Sequence, residues 1–167
     1  MRDEMKAALW VPPGHFYSPI PAVDEMRLRD KELFGKLPRT LPSIDIREVA
    51  QVALFDIFKV YYRDLPFPSH ATKGVRYFYE NTFYSYSDAI FTFCMLRHLK
   101  PKHIVEVGSG FSSAVMLDTN ERFFSNAIDL CFIDPFPERL VSLLRPGDQE
   151  RVEVLQLKLQ DVAPDTF

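Results

Sequence analysis

Cysteine is scarce in this sequence, which limits the kinds of site that the chain can form. Only two cysteines, Cys94 and Cys131, occur among its 167 residues. Two thiols cannot make a disulfide framework or a four-cysteine zinc site. Cys94 and His98 are four residues apart on a predicted helix and His103 is near, but no further cysteine or acid stands at ligand spacing. The sequence therefore predicts no metal site.

Long apolar runs and an excess of positive charge are also absent. No apolar run approaches the ~18 residues of a membrane span, and the start of the chain carries charges in place of the apolar core of a secretory signal. The 20 basic and 23 acidic side chains give a net charge of −3, which is not the positive field that non-specific nucleic-acid binding needs. The sequence predicts no membrane span, no nucleic-acid partner and a cytoplasmic location.

Proline and aromatic residues, by contrast, are abundant. The chain has 13 prolines and 14% aromatic residues, most of them before residue 100. Because proline fixes φ and removes an amide donor, residues 1–42 should not form a long helix. The uneven distribution predicts two regions: a proline- and aromatic-rich arm with helices over residues 1–100, and a differently built domain over residues 101–167.

Two helices are predicted in the first part of the arm region. A short helix fits residues 24–34. A longer amphipathic helix is predicted over residues 43–62, with Ser43 as its capping residue. Its apolar residues recur at helical spacing and predict the buried face: Ile46, Val49, Ala50, Ala53, Ile57 and Tyr61.

A third helix is predicted over residues 87–100. Ser85 or Ser87 can cap its start, and Pro101 stops it. The aromatic residues 77–84 before it are predicted to form a short strand or an extended stretch. This helix leads directly into the second region.

From residue 103 onward, short apolar runs alternate with helical segments. Strands are predicted over residues 104–107, 128–134 and 152–159, and helices over residues 112–119 and 137–144. The order β-α-β-α-β with short connections predicts a parallel sheet with right-handed crossovers.

The most informative segment runs from Val105 to Ser113. Glu106 lies at the end of the first strand, and Gly108-Ser109-Gly110 makes a sharp turn into a helix. Glycines at such a turn let a ligand approach the backbone closely. Asp134 ends the second strand, where its carboxylate can accept both hydroxyls of a ribose. Because ligands in open α/β sheets bind at the carboxyl ends of the strands, these residues are predicted to converge there.

Two kinds of cofactor suit such a turn. A dinucleotide site prefers a third glycine, but Ser113 stands at that position. Glu106 would also repel a pyrophosphate, whereas its charge would attract an ammonium or a sulfonium group. The residues therefore favour a cationic cofactor over NAD.

At this point the chain resembles class I S-adenosylmethionine-dependent methyltransferases. The match consists of the acid and two glycines at the turn, the ribose acid Asp134, and Asp161 after the third strand. Further segments of the sequence, including residues 14–19 and 83–89, resemble a bacterial branch of that family in which the substrate is unassigned. The resemblance implies an α/β fold with a Rossmann-like parallel sheet, of which the first three strands are present, behind a helical, proline-rich N-terminal region.

The resemblance also implies S-adenosylmethionine as cofactor and a small-molecule or glycan acceptor. Cofactor-binding roles then fall on the residues at the strand ends, with Asp161 near the adenine and Tyr86 in the segment that covers the cofactor: Glu106, Gly108, Ser109, Gly110, Ser112, Ser113, Asp134, Asp161 and Tyr86. For the three serines, the alternative role is to satisfy the free amides at the helix start. For Asp134, the alternative is to cap the next helix.

The resemblance leaves the catalytic group open. Such folds have seven strands, so the sequence is expected to be the N-terminal part of a longer protein, with the catalytic loop beyond residue 167. His15 and Tyr17 in the arm are candidates to close over the substrate, with His15 as a base, although packing of the arm is the favoured role of both. An NAD-dependent oxidoreductase and a non-catalytic binding module remain alternatives.

Overall fold

The computed structural model describes residues 11–15, 18–36 and 43–164, and the chain divides into two compact units, Met1–Arg47 and Glu48–Phe167. The first unit contains α1 (Val23–Leu28) and α2 (Asp30–Phe34). These two short helices replace the single helix predicted over residues 24–34. At Arg29, between them, φ is −100° and ψ is 13°, which interrupts the regular helix.

The second unit is a mixed α/β structure. Its elements are α3 (Glu48–Tyr62), α4 (Tyr86–Leu99), β1 (His103–Val107), α5 (Phe111–Phe124), β2 (Asp129–Ile133), α6 (Glu138–Leu143) and β3 (Val152–Leu155). Two short 3-10 turns flank β3, one before it at Asp148–Glu150 and one after it at Leu159–Asp161. The helices predicted over residues 43–62 and 87–100 thus belong to the same compact unit as the sheet, and the division between the two units falls after residue 47.

The sheet has the order β1-β2-β3, and both pairings are parallel. The β-α-β-α-β order predicted from the sequence is therefore confirmed, and the architecture is compatible with a Rossmann-like fold. Among the described residues β1 pairs with β2 alone, so β1 forms an edge of the sheet. Val105 and Val107 are 37% and 57% exposed on β1.

Two apolar cores lie on either side of α5. Ala114 and Val115 of α5 pack in a core with α3, α4 and the aromatic segment before α4, whereas Leu117 packs against the sheet and α6. The aromatic segment, residues 77–84, is irregular rather than a strand. Asn81 fixes it, because its side chain donates to Phe78 O and Tyr84 O and accepts from the Phe83 and Tyr84 amides.

The start of α3 differs from the prediction. The helix begins at Glu48, and Ser43 does not cap it. Ser43 and Arg47 have φ values of 65° and 53°, and the Arg47 amide donates to Asp45 Oδ1 at 3.0 Å. A local bond of this kind offers the backbone an alternative to the helix.

The predicted buried face of α3 is also wrong in part. Val49 is 85% exposed and Ile57 is 39% exposed, whereas Leu54, Phe58 and Tyr61 pack in the core. Apolar residues lie all around this helix, so the periodicity does not select one face. The choice is made by α4, which packs against α3.

A buried arginine joins the aromatic segment to α5 and to the turn after α6. The guanidinium of Arg76 donates to Asp118 at 2.6 Å, to Asp148 at 2.5 and 2.7 Å, and to Glu121 at 2.9 Å. The amides of Arg76 and Tyr77 both donate to Asp118 Oδ2 at 2.9 Å. The side chain of Arg76 is 3% exposed, so the network connects three segments of the unit from within.

Candidate functional site at the carboxyl edge of the sheet

The glycine turn and Asp134 lie at the ends of adjacent strands. The Gly108 amide donates to Ile133 O at 2.9 Å, and the Asp134 amide donates to Leu155 O at 3.0 Å. These two bonds continue the β1–β2 and β2–β3 pairings by one step. The carboxyl ends of all three strands therefore meet where the sequence predicted a ligand site.

Glu106 lies on the covered face of β1. Side chains alternate along a strand, so Glu106 shares the face of Ile104, which packs with the core beneath α5 and α6. Ser113 Oγ donates a short hydrogen bond to Glu106 Oε2 and accepts from the Gly110 amide at 3.0 Å. Ser113 therefore both satisfies a helix-start amide and ties Glu106 to the glycine turn.

The charge of Glu106 is only partly compensated by its neighbours. Burial raises the pKa of Glu106, hydrogen bonds from Ser112 and Ser113 oppose that rise, and the charge of Asp134 adds to it. The net result is a pKa above the usual range of a glutamate. A positively charged ligand group at this position would stabilise the ionised carboxylate.

Both oxygens of Asp134 accept hydrogen bonds, and Oδ2 ties the residue to the glycine turn. The Ser109 amide and Oγ both donate to Oδ2 at 2.8 Å, and the Phe136 amide donates to Oδ1 at 2.8 Å. The alternative role as a cap of α6 is wrong, because the N-cap of that helix is Pro137 and it has no side-chain cap bond. A carboxylate has about four acceptor positions, so Oδ1 retains capacity for a ligand hydroxyl.

The environment of Asp134 favours its ionised form. Burial raises its pKa, but the donors from Phe136 and Ser109 and the charge of Arg139 outweigh burial, so the pKa of Asp134 is lowered. Glu106 and Asp134 therefore have pKa values shifted in opposite directions at one sheet edge. The site combines a stable carboxylate with one that needs a cation.

The two glycines of the turn have different surroundings. Gly108 has φ of 82°, and a Cβ atom added there would meet nothing within 4 Å. A Cβ added at Gly110 would lie 3.0 Å from Cδ of Arg139. The backbone at Gly108 is therefore open to a ligand, whereas the side chain of Arg139 covers Gly110.

Arg139 and the ring of Phe83 beneath it are not among the site residues that the sequence predicts. The Arg139 guanidinium lies 3.7 Å from the centroid of the Phe83 ring, and that ring stacks on Phe111 at a centroid distance of 6.3 Å. Phe83 is 60% exposed. The one sequence signal for Phe83 was its place in residues 83–89, the segment that resembles the methyltransferase branch. Nothing in the sequence marked Arg139.

Tyr86 and Asp161 are farther along the predicted site. The Tyr86 hydroxyl donates to Glu80 at 2.7 Å, and its ring stacks on Tyr79 at 4.5 Å, so these contacts hold the side chain. Asp161 is exposed in the 3-10 turn after β3. Their predicted roles, as cover and adenine contact, remain predictions.

The catalytic candidates belong to the Met1–Arg47 unit. His15 lies in a turn in which its amide donates to Pro12 O and its carbonyl accepts from the Ser18 amide. Tyr17 lies outside the described residues. A catalytic role for either residue remains a prediction.

Neither a cluster of metal ligands nor a membrane-spanning helix occurs among the described residues. Among them, no group of three or more His, Cys, Asp or Glu side chains is placed to hold a metal ion. None of the helices in the described part of the chain is long and apolar enough to cross a membrane.

Comparison with known proteins identifies a relative whose name assigns no activity. No family model matches the chain, and no solved structure matches it. A protein of Archaeoglobus fulgidus, described as uncharacterized, is 34% identical over 157 residues, which cover 90% of this chain and 69% of the archaeal protein. The chain belongs to the same family as this archaeal protein.

Proposed function

We propose that the protein binds S-adenosylmethionine at the carboxyl edge of the sheet and transfers its methyl group to a small-molecule or glycan acceptor. The observation that carries the proposal is the joining of two carboxylates to one glycine turn. Ser113 ties Glu106 to the Gly110 amide, and Asp134 accepts from Ser109. One turn thus holds an acid for an ammonium group and an acid for a ribose.

The residues present fit this cofactor. The open backbone at Gly108 leaves room for close approach. Glu106, with its raised pKa, gains from a cation, and Asp134 is held ionised beside it. A pyrophosphate would instead place negative charge near Glu106, which argues against a dinucleotide.

When bound, S-adenosylmethionine supplies an already activated methyl group on a sulfonium. The work left to the chain is binding, alignment and exclusion of water. Glu106 would hold the ammonium group, Asp134 a ribose hydroxyl, and the Gly108 backbone would allow the close contact. A hydroxyl acceptor would also need a general base, for which His15 remains the sequence candidate.

A second candidate is an NAD-dependent oxidoreductase. The observation in its favour is Asp134 itself, because an acid at the end of the second strand also suits the ribose of NAD. A non-catalytic module that binds the same cofactor is a third possibility. The identity of the bound cofactor separates the methyltransferase from the oxidoreductase. An assay of methyl transfer separates the methyltransferase from the non-catalytic module.

Thermal unfolding of the 167-residue chain with S-adenosylhomocysteine and with NAD tests the proposal. A ligand at about 100 times its dissociation constant stabilises the folded state by about 2.7 kcal/mol, which corresponds to a shift of several degrees. We expect a shift with S-adenosylhomocysteine and none with NAD. A shift with NAD alone, or with neither ligand, would contradict the proposed cofactor.

Replacement of Gly108 by alanine should impair binding more than stability, and Gly74 offers a matched control. The two glycines have φ values of 82° and 86°, and a Cβ at either position meets nothing within 4 Å. Gly108→Ala and Gly74→Ala should each lower the free energy of unfolding by about 1–2 kcal/mol, from backbone strain. The shift with S-adenosylhomocysteine should be lost in Gly108→Ala alone. Equal shifts in both variants would show that the ligand does not contact the turn.

Ligand binding should weaken in acid because Glu106 must be ionised to hold an ammonium group. Its raised pKa places this loss above the ordinary glutamate value of about 4.3. Calorimetric titration with S-adenosylhomocysteine between pH 4 and 8 is expected to show affinity falling as the pH falls through that raised pKa. In Glu106→Gln the affinity should be low and independent of pH over the same range.

The ligand-free protein should show the opposite sign. A carboxyl whose pKa is higher in the folded state binds more protons there. Its contribution to stability therefore falls as the pH rises from the pKa of the unfolded state to the pKa of the folded state. The stability difference between the wild type and Glu106→Gln should change in that direction. An identical pH dependence of binding in both proteins would remove Glu106 from the site.

A further inference from the structure

We infer that Arg139, held on the ring of Phe83, binds the carboxylate of an α-amino-acid group whose ammonium is held by Glu106. The inference rests on the proposed function and deepens it. It assigns the amino-acid end of the ligand to a guanidinium that lies beside Gly110 and a carboxylate that is linked to the Gly110 amide through Ser113. The site would then select ligands that carry an intact amino-acid zwitterion.

Gly110 is connected to both charged groups, to Arg139 by direct proximity and to Glu106 through Ser113. Arg139 covers it from one direction, with Cδ 3.0 Å, Cγ 3.6 Å and Nη1 3.9 Å from the position that a Gly110 Cβ would take. The Gly110 amide donates to Ser113 Oγ at 3.0 Å, and that hydroxyl donates to Glu106. Arg139 therefore lies beside Gly110, and the Glu106 carboxylate is linked to the amide of the same residue through one hydroxyl.

An aromatic stack holds the Arg139 guanidinium in place. It lies over Phe83, which stacks on Phe111, and Phe111 packs edge-on against Phe78 at 5.5 Å. Asn81 fixes the backbone of the Phe83 loop through the Phe83 amide at 3.1 Å. Phe83 is thus a positioning residue that acts through Arg139.

The hydrogen-bonding capacity of Arg139 is available to a ligand. In the part of the chain that the structure describes, no carboxylate lies within ion-pair distance of its guanidinium. A guanidinium has five N–H donors in a fork that matches a carboxylate, and stacking on a ring leaves these donors free. The charge of Arg139 acts on Asp134 and lowers its pKa, but no ion pair joins the two among the described residues. The donors of this exposed cation beside the glycine turn are therefore suited to an anionic ligand group.

The neighbouring charges favour a carboxylate within a zwitterion over a phosphate. Glu106 and Asp134 lie at the same sheet edge, so a doubly charged phosphate would meet two anions and one cation. A zwitterion instead places its ammonium at Glu106 and its carboxylate at Arg139, and adds no net charge to the edge. The ammonium and carboxylate of an amino acid share one carbon, which suits a cation beside Gly110 and an anion linked to the same residue through Ser113.

The test compares two nucleosides that differ at the amino-acid end. S-Adenosylhomocysteine carries the zwitterion, whereas 5′-methylthioadenosine has the same nucleoside with a methyl group in its place. Calorimetric titration of the wild type should give tighter binding of S-adenosylhomocysteine. Arg139→Ala should weaken S-adenosylhomocysteine binding by about 10- to 150-fold, the range for a hydrogen bond to a charged group, and leave 5′-methylthioadenosine unchanged.

Three further variants complete the design. Arg139→Lys should recover part of the preference, because the charge is kept and the fork is lost. Phe83→Leu should reduce the preference without changing 5′-methylthioadenosine binding. Arg122→Ala is the control: it removes an exposed arginine from the last turn of α5 and should leave both affinities unchanged.

The possible failures are distinguishable. If S-adenosylhomocysteine binds the wild type and Arg139→Ala binds both nucleosides as the wild type does, the role of Arg139 is wrong and the proposed function stands. An equal loss of both nucleosides in Arg139→Ala would likewise overturn the inference. If neither nucleoside binds the wild type, the proposed function fails and the inference fails with it.

Discussion

Replacing Arg76 with alanine is expected to lower the free energy of unfolding by about 3–5 kcal/mol, the range for breaking a buried ion pair from one side. The side chains of Arg76, Asp118 and Asp148 are 3%, 3% and 5% exposed. Without the guanidinium, two buried carboxylates lose their cation and the three hydrogen bonds that it donates to them. The cost is the desolvation of carboxylates that are left without their cation.

Denaturation in urea, followed by circular dichroism, measures this effect. Lys59→Ala is the control in the same unit, because it breaks an exposed pair with Asp56 in which both side chains are more than half exposed. That change should be within about 1 kcal/mol. Arg76→Lys should fall between the two variants, since lysine keeps the charge but not the fork. A loss below about 1 kcal/mol in Arg76→Ala would show that the network does not stabilise the fold.

Replacing Asp134 with alanine is expected to weaken S-adenosylhomocysteine binding by about 10- to 150-fold, which corresponds to ~1.5–3 kcal/mol for a hydrogen bond to a charged group. The structure adds a second effect. Asp134 accepts from the amides of Ser109 and Phe136, so its removal also loosens the turn that the ligand contacts. The free energy of unfolding should fall by about 1–3 kcal/mol.

A matched variant separates the two effects. Ser109→Ala removes one donor to Oδ2 of Asp134 but keeps the carboxylate and the Ser109 amide. It should lower stability by about 1 kcal/mol and leave most of the ligand affinity. Calorimetric titration and thermal unfolding of both variants provide the comparison. Affinity in Asp134→Ala equal to that of the wild type would mean that the carboxylate only supports the turn.

The elements of the second unit were largely predictable because their signals are local. Apolar runs bounded by glycine and charged residues marked all three strands, although β3 ends at Leu155 and not at residue 159. Short connections between them allow few topologies. Once the strands are parallel, Glu106, Gly108 and Asp134 must come to one edge.

Other features depended on contacts between distant segments. The buried face of α3 is set by α4, because the helix is apolar all around and offers no single stripe. Arg76 is bonded to Asp118 and Asp148 across 42 and 72 residues, and no sequence pattern marks such a pairing. Arg139 and Phe83 meet across a similar distance.

By itself, then, the sequence determined the order of strands and helices and the residues that end each strand, because hydrophobic periodicity and turn chemistry act over a few neighbouring residues. Only the tertiary structure decided which carboxylate is held ionised, which helix face is buried and which cation lies over Gly110. Those outcomes depend on burial and on the distances between charges, and both quantities exist only once the segments have packed together.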